Sequence, residues 1–484
     1  MTTSNPTQEH VEETPRTLLK TMRWYDGFIV CLSASGFLLA TLGYTIGSVG
    51  ALGALFLCAI TVLIGGVQSY IFTEPATMFP DSTGGLAAYA REAWRRRMNL
   101  LSPLAGFAYW IAYTSTFSVF GLLAGQLIQA QWFSGQTWSA NVGPLSVGFA
   151  QVVACAIIVA VWTINVAGMR PTRIFGYVTG LLFCVVLLLF AFLPYLTGHF
   201  DTSFLTWKIG GSGQDWGGIR LVLVWIYLLG WSAYPTEQAA TFAPEYHDPL
   251  GDTRKGLLSS AGFALFSFTL VPLGLGGVLS QKTIGSDPVA FYVTALDKMI
   301  GSVGSGVAVV LIVVACLLTM NASTMNASRA LYATALRGHT IRIFGKLNRN
   351  HVPANAMTLD MVVNVVVVIV LNSVIGIIAA SNLAYFVVVI LALGGVVLLR
   401  IDVPGKARPI RLRRPWLVVA GVLAIFNAAA LVVGALSFQL TGYGGIGTLF
   451  VGIGALLLGI VLYLWRVYVE ERGRIIWRDL SDQN

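Results

Sequence analysis

The chain has 484 residues, of which 56% are hydrophobic and only 11% charged, with a net charge of +9. Soluble domains carry about 25% charged residues, so a soluble globular protein is excluded. The apolar segments run about 20 residues or more, a length that suits membrane-spanning helices and not barrel strands.

The first 22 residues are polar and contain no cleavable signal peptide. They read as a disordered cytoplasmic tail, residues 1–25. Twelve candidate spans follow: 27–47, 51–73, 101–130, 146–166, 174–197, 219–243, 257–279, 303–335, 357–378, 381–399, 416–437 and 446–465. Residues 26–400 form the expected core, 401–468 two peripheral helices and 469–484 a cytoplasmic tail. An even number of spans puts both termini on one side. With that side cytoplasmic, only Lys208, Arg220, Lys282 and Lys298 of the 30 Lys and Arg face outward. This bias predicts both termini inside a multi-pass cell-membrane protein. The basic surplus is therefore topological, with attraction to anionic membrane lipid and no nucleic-acid partner.

The five cysteines all lie within apolar runs, which predicts packing residues and neither disulfides nor a metal site. No HExxH, phosphate loop or Cys/His cluster occurs, so no enzyme and no cofactor is expected, beyond a coupling H+ or Na+.

The first span is interrupted by Ser33, Ala34, Ser35 and Gly36. Two readings stand. Ser can bond back to the preceding turn while Gly allows close packing, or the backbone unwinds and frees amides for a carboxylate. The second span runs into EPATMFPDSTGGLAAYAREAWRRR. Glu74 there expects a structural ion pair with Arg91 or Arg95 to Arg97. The third span carries Tyr109, Trp110, Tyr113 and Thr114, either an interfacial aromatic belt or a pocket lining.

The sixth span is the most informative: WIYLLGWSAYPTEQAATFAPEYHDP, Trp225 to Pro249. Pro235 removes the helical partner of the Trp231 carbonyl. Glu237 puts a carboxyl at membrane depth, which costs several kcal/mol. Irregular backbone is tolerated there only where it lines a cavity or packs inside protein, so a broken helix is expected. Interruptions at matching depth in the first and sixth spans point to two five-helix halves and a transporter site between them. Glu237 has three readings: a structural acceptor, a protonatable coupling group, or a partner for a cationic substrate. In the eighth span, Asn321, Ser323 and Thr324 either bond between helices or offer oxygens to a cation. Spans eleven and twelve are plain apolar helices, suited to peripheral packing or homo-oligomer contacts.

Four stretches resemble the amino acid–polyamine–organocation superfamily of permeases: Glu74 to Ala93, Pro235 to Pro249, Ser328 to Gly338 and, more distantly, Ala34 to Leu38. The resemblance implies an all-α membrane protein of twelve transmembrane helices. Ten form a five-plus-five inverted repeat (LeuT-like), with discontinuous helices 1 and 6, and two are peripheral. It implies a small-molecule substrate, an amino acid or related amine, at a midplane site. Ser33, Ser35 and Gly36 would hold the carboxylate, and carbonyls from Trp231 through Ala233 to Tyr234 the ammonium. Trp231 occupies the family's gating-aromatic position and Glu237 its sixth-helix Glu. Trp110, Tyr113, Asn321, Ser323 and Thr324 are further coupling or gating candidates. The lysine that many proton-coupled members keep in helix five is absent from Leu181 to Val186. The expected function is secondary active transport by alternating access, proton-coupled uptake or exchange. Organocation antiport, a channel and a transceptor are the alternatives.

Overall fold

The computed structural model describes residues 20–480, except 83, 143–144, 211–212, 372 and 444–446; residues 1–19 of the expected tail lie outside that range. The described chain is helical almost throughout, because in hydrocarbon every backbone N–H and C=O must find a partner within its own segment. In order the helices are α1 (Trp24–Val49), α2 (Ala51–Met78), α3 (Gly85–Met98), α4 (Leu101–Thr114), α5 (Thr116–Trp132), α6 (Phe149–Val166), α7 (Met169–Leu196), α8 (Ile219–Ala233), α9 (Pro249–Gly276), α10 (Gln281–Ser286), α11 (Phe291–Leu336), α12 (Ala354–Leu371), α13 (Val374–Asp402), α14 (Arg414–Leu436) and α15 (Gly447–Trp465). A small antiparallel hairpin, β1 (Ser139–Val142) and β2 (Leu145–Gly148), joins α5 to α6.

Among the described residues, twelve helices are long and apolar enough to cross a membrane. The third span is α4 and α5 together, divided at Ser115. α11 is longer than its expected span, 46 residues with a kink at Gly301. The positive φ of 71° there is one that glycine takes without a Cβ penalty. The ninth and tenth spans part earlier than expected, with α13 opening at Val374. The cause is local: the Ser373 hydroxyl accepts the Gly376 amide at 3.2 Å, capping α13. α14 is the least enclosed of these helices, with α12 and α15 next and alike.

The expected break in helix 1 is not present. α1 is wound from Trp24 to Val49. Ser33 donates its hydroxyl to the Val30 carbonyl one turn back, which keeps it inside the helix. Gly36 lets α11 approach: a Cβ there would stand 2.2 Å from Thr319 Oγ1. The small residues of this tetrad therefore serve close packing, and their amides remain within a continuous helix. Helix 6 does break. α8 stops at Ala233 and the chain continues as a 3₁₀ segment, Pro235–Glu245. Runs of that geometry beyond 3–4 residues are uncommon and mark strain or a hinge.

Ion pairs close the end of the bundle that carries the basic loops. Glu74 bonds Arg400 twice at 2.5 Å, lies 3.3 Å from Arg408 and accepts the Leu412 amide at 2.9 Å. The expected ion pair thus exists, with different partners, because the end of α2 meets α13. Arg97 instead holds Asp402 and Arg95 holds Asp479. Glu245, at the end of the 3₁₀ segment, pairs with Arg329 of α11, both almost fully buried. Its carbonyl accepts the Thr21 and Met22 amides, tying the start of the described chain to helix 6.

Two expectations follow. Arg329→Met leaves Glu245 without its partner in the interior, at a cost of about 3–5 kcal/mol. Thermal unfolding in detergent then begins at markedly lower temperature, and adding Glu245→Gln recovers most of the loss. His339, just beyond α11, is held down at about 3 by burial and by the Arg91 and Arg337 guanidinium groups. Unfolded histidine titrates near 6.5, so acid favours the unfolded chain. Stability is complete above about pH 6.5 and falls as pH drops toward 3. A denaturation series over that range finds His339→Gln shallower than the parent protein.

Candidate functional site

The site is built where helix 6 changes form. The Tyr234 amide still bonds the Gly230 carbonyl at 3.0 Å; Pro235 then supplies no amide for Trp231. Gly65 of α2 lies against this junction, where a Cβ would come within 2.7 Å of the Ala233 carbonyl. The Thr236 hydroxyl meets Ser69 of α2 at 2.7 Å, and the Thr236 carbonyl accepts Cys31 Sγ of α1 at 3.5 Å. On the other side, Ser232 contacts Thr41 Oγ1 and the Phe37 carbonyl, each at 3.2 Å. The break is therefore held by α1 and α2.

Trp231 sits one turn before it, buried to 1% exposure. Its indole N–H donates to the Ala112 carbonyl of α4 at 3.0 Å. Its ring meets Phe37 edge-on at 4.3 Å between centroids and stacks with Phe120 at 6.1 Å. One side chain thus joins α1, α4, α5 and α8.

Two residues past the proline lies Glu237, 1% exposed. Three phenols surround its carboxylate. Tyr113 donates to Oε1 at 2.5 Å, Tyr109 to Oε2 at 2.9 Å and Tyr385 to Oε1 at 3.4 Å. Tyr109 also meets Thr241 Oγ1 at 3.1 Å and receives Asn326 Nδ2 at 3.2 Å. Among the described residues no Lys, Arg or His makes an ion pair with Glu237. Hydrogen bonds from neutral donors satisfy the oxygens without cancelling the charge.

Several buried side-chain atoms nearby have no hydrogen-bond partner: Ser35 Oγ on α1, Gln68 Nε2 on α2, both amide atoms of Gln238, and Ser323 Oγ on α11. Tyr234 Oη lies beside Gln68, also without a well-formed bond. Buried polar groups normally find partners, and these side chains lie on helix 6 and on α1, α2 and α11, all of which contact it.

The sequence candidates divide accordingly. Trp231, Ala233, Tyr234, Tyr113 and Glu237 gather at the break. Ser35 brings a partnerless hydroxyl, whereas Ser33 and Gly36 are engaged in the helix and its packing, so α1 offers no unwound amides for a carboxylate. Asn321 bridges helices: its oxygen accepts Asn165 Nδ2 at 2.9 Å and its amide donates to the Thr172 carbonyl at 3.2 Å. Thr324 bonds back to Met320 at 2.8 Å. Trp110 turns away from Glu237 and donates to Asp360 of α12 at 2.6 Å. Sequence reasoning missed Tyr385, Gln68, Gln238 and Asp360, and did not single out Tyr109 from its neighbours. The Tyr109/Tyr113 pair at i,i+4 spacing, facing one carboxyl, was the one available signal.

Comparison with known proteins gives the family. A family model described as amino acid permease matches residues 27–466. The chain is 26% identical over 365 residues to the amino-acid permease RocE of Bacillus subtilis, covering 72% of each protein. It is 25% identical over 336 residues to the lysine-specific permease LysP of Escherichia coli, covering 65% of this chain and 63% of that one. An uncharacterized amino acid permease of Bacillus subtilis, YecA, is 23% identical over 325 residues, covering 63% and 69%. With its twelve apolar helices, the chain belongs to the amino acid permease family, as a multi-pass membrane protein of amino-acid transport.

Proposed function

We propose that this protein is a secondary carrier that moves an amino acid by alternating access, with the break in helix 6 as both binding point and hinge. The observation that carries the reading is Glu237: a buried carboxylate two residues past the break, held by three phenols and, among the described residues, paired with no cation. An ionised carboxyl without a counter-charge is costly at this depth, so Glu237 is stable when it binds a proton or faces a cationic group. A protonation cycle at this point couples substrate to H+. The first ten spans, as two five-helix repeats, would rock around it.

A second reading is supported by the same uncompensated charge together with the lysine-specific relative: Glu237 pairs directly with the amine of a cationic amino acid or related organocation. The two readings part in a competition assay. Direct pairing requires lysine or a diamine to displace label far better than leucine does; equal displacement removes it.

The 26:4 partition of basic residues supports cytoplasmic termini in a cell membrane. A fluorescent protein fused after Asn484 should fluoresce in the cytoplasm; if it stays dark while the carrier is inserted, the orientation is reversed.

In proteoliposomes, Glu237→Gln keeps substrate exchange but loses the pH dependence of net uptake. An unaltered pH profile would return Glu237 to a purely structural role. Trp231→Ala removes an aromatic anchor that such sites value at about 2 kcal/mol or more, roughly 30-fold in affinity. It inserts normally and binds weakly; unchanged uptake kinetics would take Trp231 out of the site.

A further inference from the structure

The C-terminal half of α4 meets a second carboxyl, Asp360 of α12, on its other side. Tyr109 and Tyr113 face Glu237, while the next residue after each, Trp110 and Thr114, faces Asp360. Trp110 Nε1 and Thr114 Oγ1 both donate to Asp360 Oδ1, at 2.6 and 2.9 Å. Asp360 is wholly buried, and its other oxygen, Oδ2, has no partner. One turn further along α12, Asn364 donates to Thr114 Oγ1 at 2.9 Å and accepts both the amide and the hydroxyl of Ser118, at 3.1 and 2.7 Å. The Ser118 amide is one of the free N–H groups in the first turn of α5. Asp360 and Asn364 together therefore bind the joint at Ser115, where α4 gives way to α5.

No cation reaches Asp360 among the described residues. The elements packed against α12 are α5, α6, α11, α13, the segment Arg342–Gly345 and β2. Of the ionisable groups on these elements, Arg329 holds Glu245, Arg400 holds Glu74, Tyr385 turns to Glu237, Lys298 donates to the Val278 carbonyl and Cys155 is a free thiol, and Arg342 makes no ion pair with Asp360. α5 and β2 carry no ionisable group. An ionised carboxylate here would rest on neutral donors at one oxygen and on nothing at the other, an expensive state in a buried site. Beside it lies a cavity of about 120 Å³ lined by Trp110, Thr114 and Asn364 on one side and by Val451 and Leu458 of α15 on the other. That space gives the indole room to turn.

We propose that Asp360 is a second proton-binding group of this carrier and a positioning residue for the Glu237 cage. Protonation adds one H+, delivered by water, to a lone pair of Oδ2; no other bond forms or breaks. The neutral acid is a weaker acceptor, so Oδ1 loosens its hold on Trp110 and Thr114. The C-terminal half of α4 is then free to shift into the cavity, moving Tyr109 and Tyr113 with respect to Glu237. Release of the proton draws the turn back. The inference rests on the carrier reading for its consequence, though not for the titration itself.

Infrared difference spectroscopy on the purified full-length protein between about pH 5 and pH 8 tests the titration. A buried-carboxyl band should appear with acid, vanish in Asp360→Asn and persist in Glu237→Gln with a displaced midpoint. Trp110→Phe, which leaves the carboxyl in place, should also displace it and guards against poor folding of Asp360→Asn. If no titrating band depends on Asp360, the proposal is overturned. Uptake of radiolabelled lysine and leucine tests the consequence. Asp360→Asn should flatten or shift the pH profile, and Asp360→Glu should restore pH dependence. A variant that loses only thermal stability, with its pH profile intact, also overturns the proposal. If the parent protein takes up neither amino acid while the band behaves as described, it is the carrier reading for these substrates that fails.

Discussion

A proline cannot donate a backbone hydrogen bond, and Pro235 stands where a membrane helix can least dispense with one. The rest of the site follows from how the bundle absorbs that defect. The chain does not unravel; it tightens into 3₁₀ geometry as far as Glu245. α2 covers the junction with glycine at position 65, and Ser69 and Cys31 reach in to Thr236. The far end is pinned by the Glu245–Arg329 pair. The 3₁₀ segment is thus fixed at both ends, by α1 and α2 at the proline and by Arg329 at Glu245.

The defect also sets the electrostatics. Because Glu237 follows the proline by two residues, its carboxyl is delivered to the middle of the bundle, and α4 answers with phenols and not with a cation. Tyrosine is suited to this: it buries a large apolar body and still presents one donor. Three such donors satisfy the carboxylate oxygens without supplying a counter-charge. The aromatic contact of Trp231 with Phe37 and Phe120 seals the same space from the side of α1 and α5.

The contrast between helices 1 and 6 is instructive. Both carry breaking residues at similar depth, yet only one breaks. Serine and glycine leave the backbone ladder intact: Ser33 bonds within its own helix and Gly36 accommodates Thr319. Proline removes a donor outright, and nothing local can restore it.

Much was legible beforehand. Twelve spans, the break at Pro235 and the family resemblance all rest on local properties: apolar length, a missing amide, motif order. Partners were not legible. Glu74 finds Arg400 and Arg408 rather than the arginines near it in sequence, and Trp110 finds Asp360 rather than Glu237. Tyr385 and Asp360 carried no signal in sequence, because only packing sets each against α4. The sequence by itself determined how many times the chain crosses and where its backbone must yield, because hydrocarbon imposes those demands one segment at a time. Which side chains face one another was decided only by the tertiary structure, since a helix shows a different face every 100° and only its neighbours choose among them.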